Sequence, residues 1–399
     1  MTLRPATGSA ADGIVIAGGG LAAQRAGETL RRCGHDGPIR VVGAERHAPY
    51  DRPPLSKELL AGALSPDALR FRPDDWYREH DIELLLGQRA AALDARSRRL
   101  VLAGGGVLRY DRLLIATGSA PRTLPGVSGR DNVHELRTLD DAQALRAAIG
   151  PGRRLAVIGA GFVGQEVAAT AARAGARVTI VEAAAAPLVA VLGPQLGGWF
   201  ARLHREEGIE VLLSARIARL HGAPRVEAIE LEGGRRIRCD AVVVAVGTAP
   251  ATGWLAGSGL DPGGVLVDAA GRTAAPAVFA AGDASRPFEP RLGAHVRTEH
   301  WEAAARQGVA AARAMLGLSA APAPLPSFWS DQHGVRIQYL GHAHGADGVQ
   351  LDGDPAARDF TATFTAAGRP VAALLVGRPH ALPALRRRLE AHRHERTAA

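Results

Sequence analysis

Gly18-Gly-Gly20-Leu-Ala-Ala23 follows the apolar run Ile14-Val-Ile-Ala and opens a helical stretch through Arg32. The spacing suits a dinucleotide. The first glycine permits a tight turn, the second lets backbone approach a pyrophosphate, and the third position needs a small residue for helix–strand packing, which Ala23 supplies. A second apolar run, Ile39-Arg-Val-Val-Gly-Ala-Glu45, then ends in an acid 27 positions after Gly18, placed to accept from ribose hydroxyls. The arrangement returns later. Leu155-Ala-Val-Ile leads into Gly159-Ala-Gly161-Phe-Val-Gly164, a helix to Ala174, and Ala176-Arg-Val-Thr-Ile-Val-Glu182, its acid 23 positions after Gly159. Two copies with strand, turn, helix and acid in order imply two bound dinucleotides, one retained and one exchanging. Glu182 repels a 2′-phosphate, and Ala183 to Ala186 offers no Arg to hold one, so the expected exchanging nucleotide is NADH rather than NADPH.

These turns need parallel sheets to position them. Strand-like apolar runs alternate with Ala-rich helical stretches over most of the first 320 residues, the pattern of an α/β fold. Ala320-Ala-Pro-Ala-Pro-Leu-Pro326 reads as a Pro-rich linker. Beyond it, Val335–Leu340, Asp359–Phe364 and Val371–Val376 read as strands, Ala366 to Pro370 as a hairpin turn and His380–His394 as a closing helix, a small C-terminal α+β domain. The length of 399 residues allows two to three domains, and 47% apolar with 22% charged residues is a globular composition. Residues 1–12 lack the pattern of a signal peptide and no run approaches 18 apolar residues, so the expectation is a cytoplasmic protein with no membrane association.

The residues between the fingerprints sharpen the picture. Pro49-Tyr-Asp-Arg-Pro-Pro-Leu-Ser-Lys57, Leu113-Leu-Ile-Ala-Thr-Gly-Ser-Ala-Pro-Arg122, Ala241-Val-Val-Val-Ala-Val-Gly247, Val278-Phe-Ala-Ala-Gly-Asp283, Glu299-His-Trp301 and Phe328-Trp-Ser-Asp-Gln332 occur in that order. With them the chain, from about Ile14 to its end, resembles the FAD-dependent ferredoxin and rubredoxin reductases that serve aromatic-ring dioxygenases and haem-thiolate monooxygenases. The resemblance implies two Rossmann-like dinucleotide-binding domains of the glutathione reductase type plus the small C-terminal domain. It divides the chain into a discontinuous FAD domain (1–118 and 251–320), an NAD domain (119–250) and a C-terminal reductase domain (321–399). Thr117-Gly118 and Gly247 then mark the crossovers. By the same resemblance Arg52 and Arg122 are expected to lie along the FAD, and Asp283, after Gly282, to meet its ribityl or phosphate region.

The implied chemistry is hydride transfer from NADH to FAD, then delivery of single electrons to an iron–sulfur ferredoxin or a rubredoxin. Flavin suits this because it accepts a hydride yet can give up one electron at a time. The two cysteines, Cys33 and Cys239, are 206 positions apart and His47 to Leu60 contains none, which excludes a redox dithiol motif and a Cys-ligated cluster. Both read as packing residues. Lys57 is the chain's one lysine among 48 basic residues and falls inside the most specific motif. A fork-shaped Arg does not replace a compact ammonium at such a place. By resemblance Lys57 pairs with Glu166 beside the flavin, and Trp301 borders the flavin near the surface where the electron carrier docks. Trp329 is either a neighbour of that region or a core residue.

His342/His344 and His392/His394 lack a third ligand at useful spacing, so no metal is expected. The net charge of +8 is compatible with an acidic carrier protein, and the tail from Arg386 to Ala399 carries five Arg against two Glu. Nucleic acid is disfavoured because basic residues are not interleaved with aromatics. The chain is expected to act as a monomer or homodimer. Two rival readings stay open: an NADH oxidase or quinone-type reductase, and a redox-responsive binding protein resembling apoptosis-inducing factor.

Overall fold

The computed structural model describes residues 12–127, 129–289, 292–319 and 325–395. Residues 1–11, most of the expected linker (320–324) and the last four residues of the basic tail lie outside them. The chain folds as two units. The first comprises Met1–Asp51, Arg70–Ala120 and Pro250–Ala323, the second Arg52–Leu69, Pro121–Ala249 and Pro324–Ala399.

In the first unit a parallel sheet runs in the order Val278–Ala280, Arg112–Ile115, Ile14–Ala17, Ile39–Gly43, Ile82–Leu86. Its central strands are continuous β-branched and leucine runs because helices or loops cover both faces, and every residue of Ile14–Ala17 is buried. Helix Leu21–Arg32 lays Ala22, Ala23, Ala26 and Leu30 on that sheet, spacings that share one face of a 3.6-residue helix. Helix Trp301–Met315 crosses it closely. A Cβ on Gly308 would sit 2.3 Å from the carbonyl oxygen of Ala22, so only glycine permits the approach.

The second unit repeats the design. Glu210–Leu212, Arg177–Val181, Arg154–Ile158, Ala241–Val244 and Val133–His134 form a five-stranded parallel sheet, with helix Phe162–Arg173 after the central strand. Here too the fingerprint strand is flanked by its acid-bearing strand on one side and a later strand on the other. Doubly wound α/β halves are therefore present in both units, as the alternation of strands and helices predicts.

The C-terminal part of the second unit is an antiparallel sheet in the order Ser327–Gln332, Val335–Gly341, Arg369–Val376, Asp359–Ala366, Gly348–Asp354. Alternation sorts its faces. Ile337, Tyr339, Ala372, Leu374 and Val376 join the core built on Leu192, Leu196, Trp199, Phe200 and Leu203 of helix Val189–Glu206, whereas Leu340, Ala373 and Leu375 pack with Leu389 of the closing helix Leu382–Glu395. The hairpin at Ala366–Arg369 turns through Ala367 and Gly368, both at positive φ, the geometry that matches strand twist in a two-residue loop. His333-Gly334 makes a second turn of the same kind. Strands Ser327–Gln332 and Gly348–Asp354 add to the three expected from apolar runs. The latter is mostly exposed and carries too little apolar alternation to announce itself.

Candidate active site

In the first unit, the residues singled out by motif gather at the carboxyl edge of one parallel sheet. Gly18 to Gly20 follow Ile14–Ala17, Glu45 follows Ile39–Gly43, Thr117-Gly118 follow Arg112–Ile115, and Gly282-Asp283 follow Val278–Ala280. Open α/β sheets bind ligands along that edge. Gly18 has φ +129, and a Cβ there would lie 2.0 Å from the carbonyl oxygen of Ala116. Gly20 differs: a Cβ on it meets nothing within 4 Å, so its lack of a side chain serves no packing need inside the protein. It is also the N-cap of Leu21–Arg32, with no side-chain cap and no acid in the first turn. The amides of that turn and the helix dipole thus suit a phosphate. Ala23 is buried at the position of the third glycine.

The polar residues around this edge are pre-positioned. Tyr50 donates from its hydroxyl to Glu45 at 2.5 Å. Asp283 accepts from Ser119 at 2.8 Å, Gly282 N–H donates to Gln307 at 2.8 Å, and Thr117 donates to the carbonyl of Ala251 at 2.8 Å. Trp301 begins its helix and donates from Nε1 to Asp51 at 2.7 Å. These residues and backbone groups fit a dinucleotide.

The second unit fits one as well. Gly159 has φ +99 with its would-be Cβ 2.4 Å from the carbonyl of Ala245, the counterpart of the Gly18 contact with Ala116. Gly164 would clash with Gly159 oxygen at 2.3 Å, which explains glycine in this copy. Gly161 caps Phe162–Arg173 without a side-chain partner. Glu182 is more deeply built into the turn than its spacing suggests. Its Oε2 accepts the Ala160 N–H and its Oε1 the Ala184 N–H, each at 2.7 Å. Gly247 follows Ala241–Val244 at positive φ, and its carbonyl accepts the Arg122 N–H. The Arg122 side chain is exposed and donates to the carbonyl of Thr248, while Arg52 donates to the carbonyl of Arg137.

Lys57 and Glu166 come together. Lys57 Nζ lies 2.8 Å from Glu166 Oε2, with the two side chains 11% and 6% exposed. Two hydroxyls complete the carboxylate: Ser56 donates to Oε2 at 2.5 Å and Ser330 to Oε1 at 2.7 Å. Helix Phe162–Arg173 organises this cluster through residues one turn apart, since Thr170 donates to the carbonyl of Ser56. Leu60, in the same segment as Lys57, anchors in the core beside Leu145, Val167 and Ala171. Neither Ser56 nor Ser330 is visible as a site residue from its type alone; both lie inside the motifs around Lys57 and Trp329. Trp329 is half-buried, with the Arg336 guanidinium 5.1 Å from its ring centroid.

A second buried network has no signature in the sequence. His333 Nε2 lies 3.0 Å from His204 Nδ1, and His204 Nε2 lies 3.0 Å from Gln165 Oε1, whose amide donates to the carbonyl of Ala160. With Gln165 Oε1 as acceptor, His204 donates from Nε2 and accepts the His333 Nε2–H at Nδ1. Burial pushes His204 down to about 3 and His333 below the usual imidazole range.

The two cysteines are both free thiols. Cys239 is in the core, where burial pushes its thiol up to about 11, and Cys33 caps the end of helix Leu21–Arg32. Among the described residues no group of three or more His, Cys, Asp or Glu side chains could hold a metal ion, and no helix is long and apolar enough to cross a membrane. The side chains of His392 and His394 lie outside the described residues.

Comparison with known proteins agrees with this fold. Residues 12–308 match the pyridine nucleotide-disulphide oxidoreductase family model, and residues 327–399 match the reductase C-terminal model. The chain is 40% identical to the ferredoxin–NAD(+) reductase component of the anthranilate 1,2-dioxygenase system of Burkholderia cepacia, covering 96% of this chain and 95% of that one. It is 34% identical to putidaredoxin reductase of Pseudomonas putida over 93% of this chain and 90% of that one. The crystal structure of the covalent putidaredoxin reductase–putidaredoxin complex superposes with a TM-score of 0.91 at 33% identity, covering 95% of this chain and 93% of that one.

Proposed function

The chain belongs to the pyridine nucleotide-disulphide oxidoreductase family, and from that membership we propose that it is an NADH-dependent flavoprotein reductase that delivers electrons to a ferredoxin or rubredoxin feeding an oxygenase. The observation that carries this reading is the buried Lys57–Glu166 pair in a chain with two dinucleotide turns, whose two cysteines are both free and 206 positions apart. FAD, when bound, accepts a hydride and returns electrons singly. The residues of 1–118 and 251–320 hold it: amides of the Gly18–Gly20 turn take the pyrophosphate, Glu45 a ribose, and Asp283 the ribityl or phosphate region. The residues of 119–250 hold NADH, with Gly159, Gly161 and the uncapped helix on its pyrophosphate and Glu182 on its ribose. Residues 321–399 form the reductase C-terminal domain. Lys57 supplies a fixed positive charge where negative charge develops as the flavin is reduced, and Glu166 keeps that charge in place before the reaction begins. Trp301, tethered to Asp51, serves transfer to the carrier protein.

The test is anaerobic stopped-flow mixing of the purified flavoprotein with NADH, followed by steady-state reduction of cytochrome c with and without a ferredoxin. Rapid bleaching of the flavin and cytochrome reduction that depends on ferredoxin are expected. Fast turnover with oxygen or a quinone that ferredoxin does not increase would replace this reading with an oxidase.

A further inference from the structure

We propose that Ser330 is a positioning residue for the Lys57–Glu166 pair, a hydroxyl supplied by the C-terminal sheet that orients the carboxylate and through it the ammonium. The inference rests on the reading above that Lys57 serves flavin reduction. Ser56 and Lys57 both donate to Glu166 Oε2, whereas Ser330 donates to Oε1. Donors on one oxygen leave the carboxyl plane free to turn about its terminal torsion, which is intrinsically broad. A donor on the second oxygen fixes the plane.

The Ser330 hydroxyl is itself directed. Gln332 Nε2 donates to its oxygen at 3.1 Å, so its proton is committed to Glu166 rather than shared among rotamers. Ser330 and Gln332 are two apart on strand Ser327–Gln332 and project from the same face. Both are essentially inaccessible to water, at 0% and 1% exposure, so no solvent molecule readily replaces either donor. The result is a one-way chain, Gln332 to Ser330 to Glu166, that ends on the carboxylate oxygen Lys57 does not use. A sheet contributing no charge to the pair thus sets where its charge sits.

The chain's single lysine makes the test direct. Acetic anhydride labelling of Lys57 in the holoprotein, followed by peptide mass spectrometry, reads the state of this amine without turnover. Stopped-flow reduction across NADH concentrations separates the limiting rate from half-saturation. Ser330→Ala is expected to accelerate Lys57 acetylation and lower the limiting reduction rate by about tenfold each, with half-saturating NADH changed less than about twofold. Ser330→Cys, nearly isosteric but a poor donor, is expected to behave the same way, and Ser330→Thr to restore both readouts. Wild-type acetylation and reduction in the alanine and cysteine variants would overturn the proposal. So would a lowered melting temperature with acetylation unchanged, which marks a packing role alone. If NADH fails to reduce the wild-type flavin, the functional reading falls, while acetylation still decides whether Ser330 governs Lys57.

Discussion

Lys57 shows how an exceptional residue type becomes a structural claim. An ammonium at 11% exposure is costly unless it is paired, and Glu166 at 2.8 Å provides the pair, from 109 positions away. Lys57→Met is expected to retain FAD at wild-type stoichiometry and to slow flavin reduction by about a hundredfold, the scale for removing one preorganised charge or donor. An unchanged reduction trace would take Lys57 out of the hydride step. Trp301 carries a second expectation. Its Nε1 tether to Asp51 fixes an indole at the start of a helix whose packing is done by other residues, among them Gly308 and Ala311. Trp301→Ala should depress ferredoxin-linked cytochrome reduction by about tenfold while reduction of ferricyanide persists, since aromatic anchors concentrate docking energy. Equal losses with both acceptors would assign Trp301 to folding.

At the scale of elements, the glycine turns separate packing from binding. Gly18 is required by the protein itself, because any Cβ collides with the carbonyl of Ala116. Gly20 has φ −93 and open space beyond it, so a side chain there costs the fold little. Gly20→Val is therefore expected to leave the melting temperature of the apoprotein unchanged and to weaken FAD binding at least about tenfold, by denying backbone approach to the pyrophosphate; equal FAD affinity in a titration would refute that role. The histidine pair ties helix Val189–Glu206 and the His333-Gly334 turn to the Ala160 loop. Its acid response has a definite sign. The unfolded chain binds a proton at His204 below about pH 6.5, whereas the folded chain does so only near 3. Stability is thus lost as pH falls below 6.5, by up to about 1.4 kcal/mol per pH unit for one such histidine. Glu207, Arg358 and Arg173 also face His333, the carboxylate favouring and the arginines opposing its protonation. His204→Gln should flatten the fall in melting temperature between pH 6.5 and 4.5; an unchanged slope would locate the acid sensitivity elsewhere.

For the whole molecule, nucleotide choice and the source of order meet in Glu182. Both of its oxygens are held by backbone amides, so the carboxylate cannot swing aside for a 2′-phosphate, and Ala183 to Ala186 supplies no guanidinium. The kcat/KM ratio of NADH to NADPH is expected to exceed about a hundredfold, and a ratio near one would show that another residue takes the phosphate. What the sequence determined by itself was local and periodic: two strand–turn–helix fingerprints, the alternation that makes parallel sheets, the small residue at 23, and the absence of a usable dithiol. Those follow from neighbours in the chain, where steric limits on a turn and the period of a strand or helix act over a few residues. What only the tertiary structure decided was the partnership of residues far apart. Ser330 on Glu166, Asp51 on Trp301, Ser119 on Asp283 and His333 on His204 join positions 129 to 250 residues distant. No periodicity encodes such pairs. They exist because apolar faces pack in one way and bring along polar groups that, once buried, must find each other.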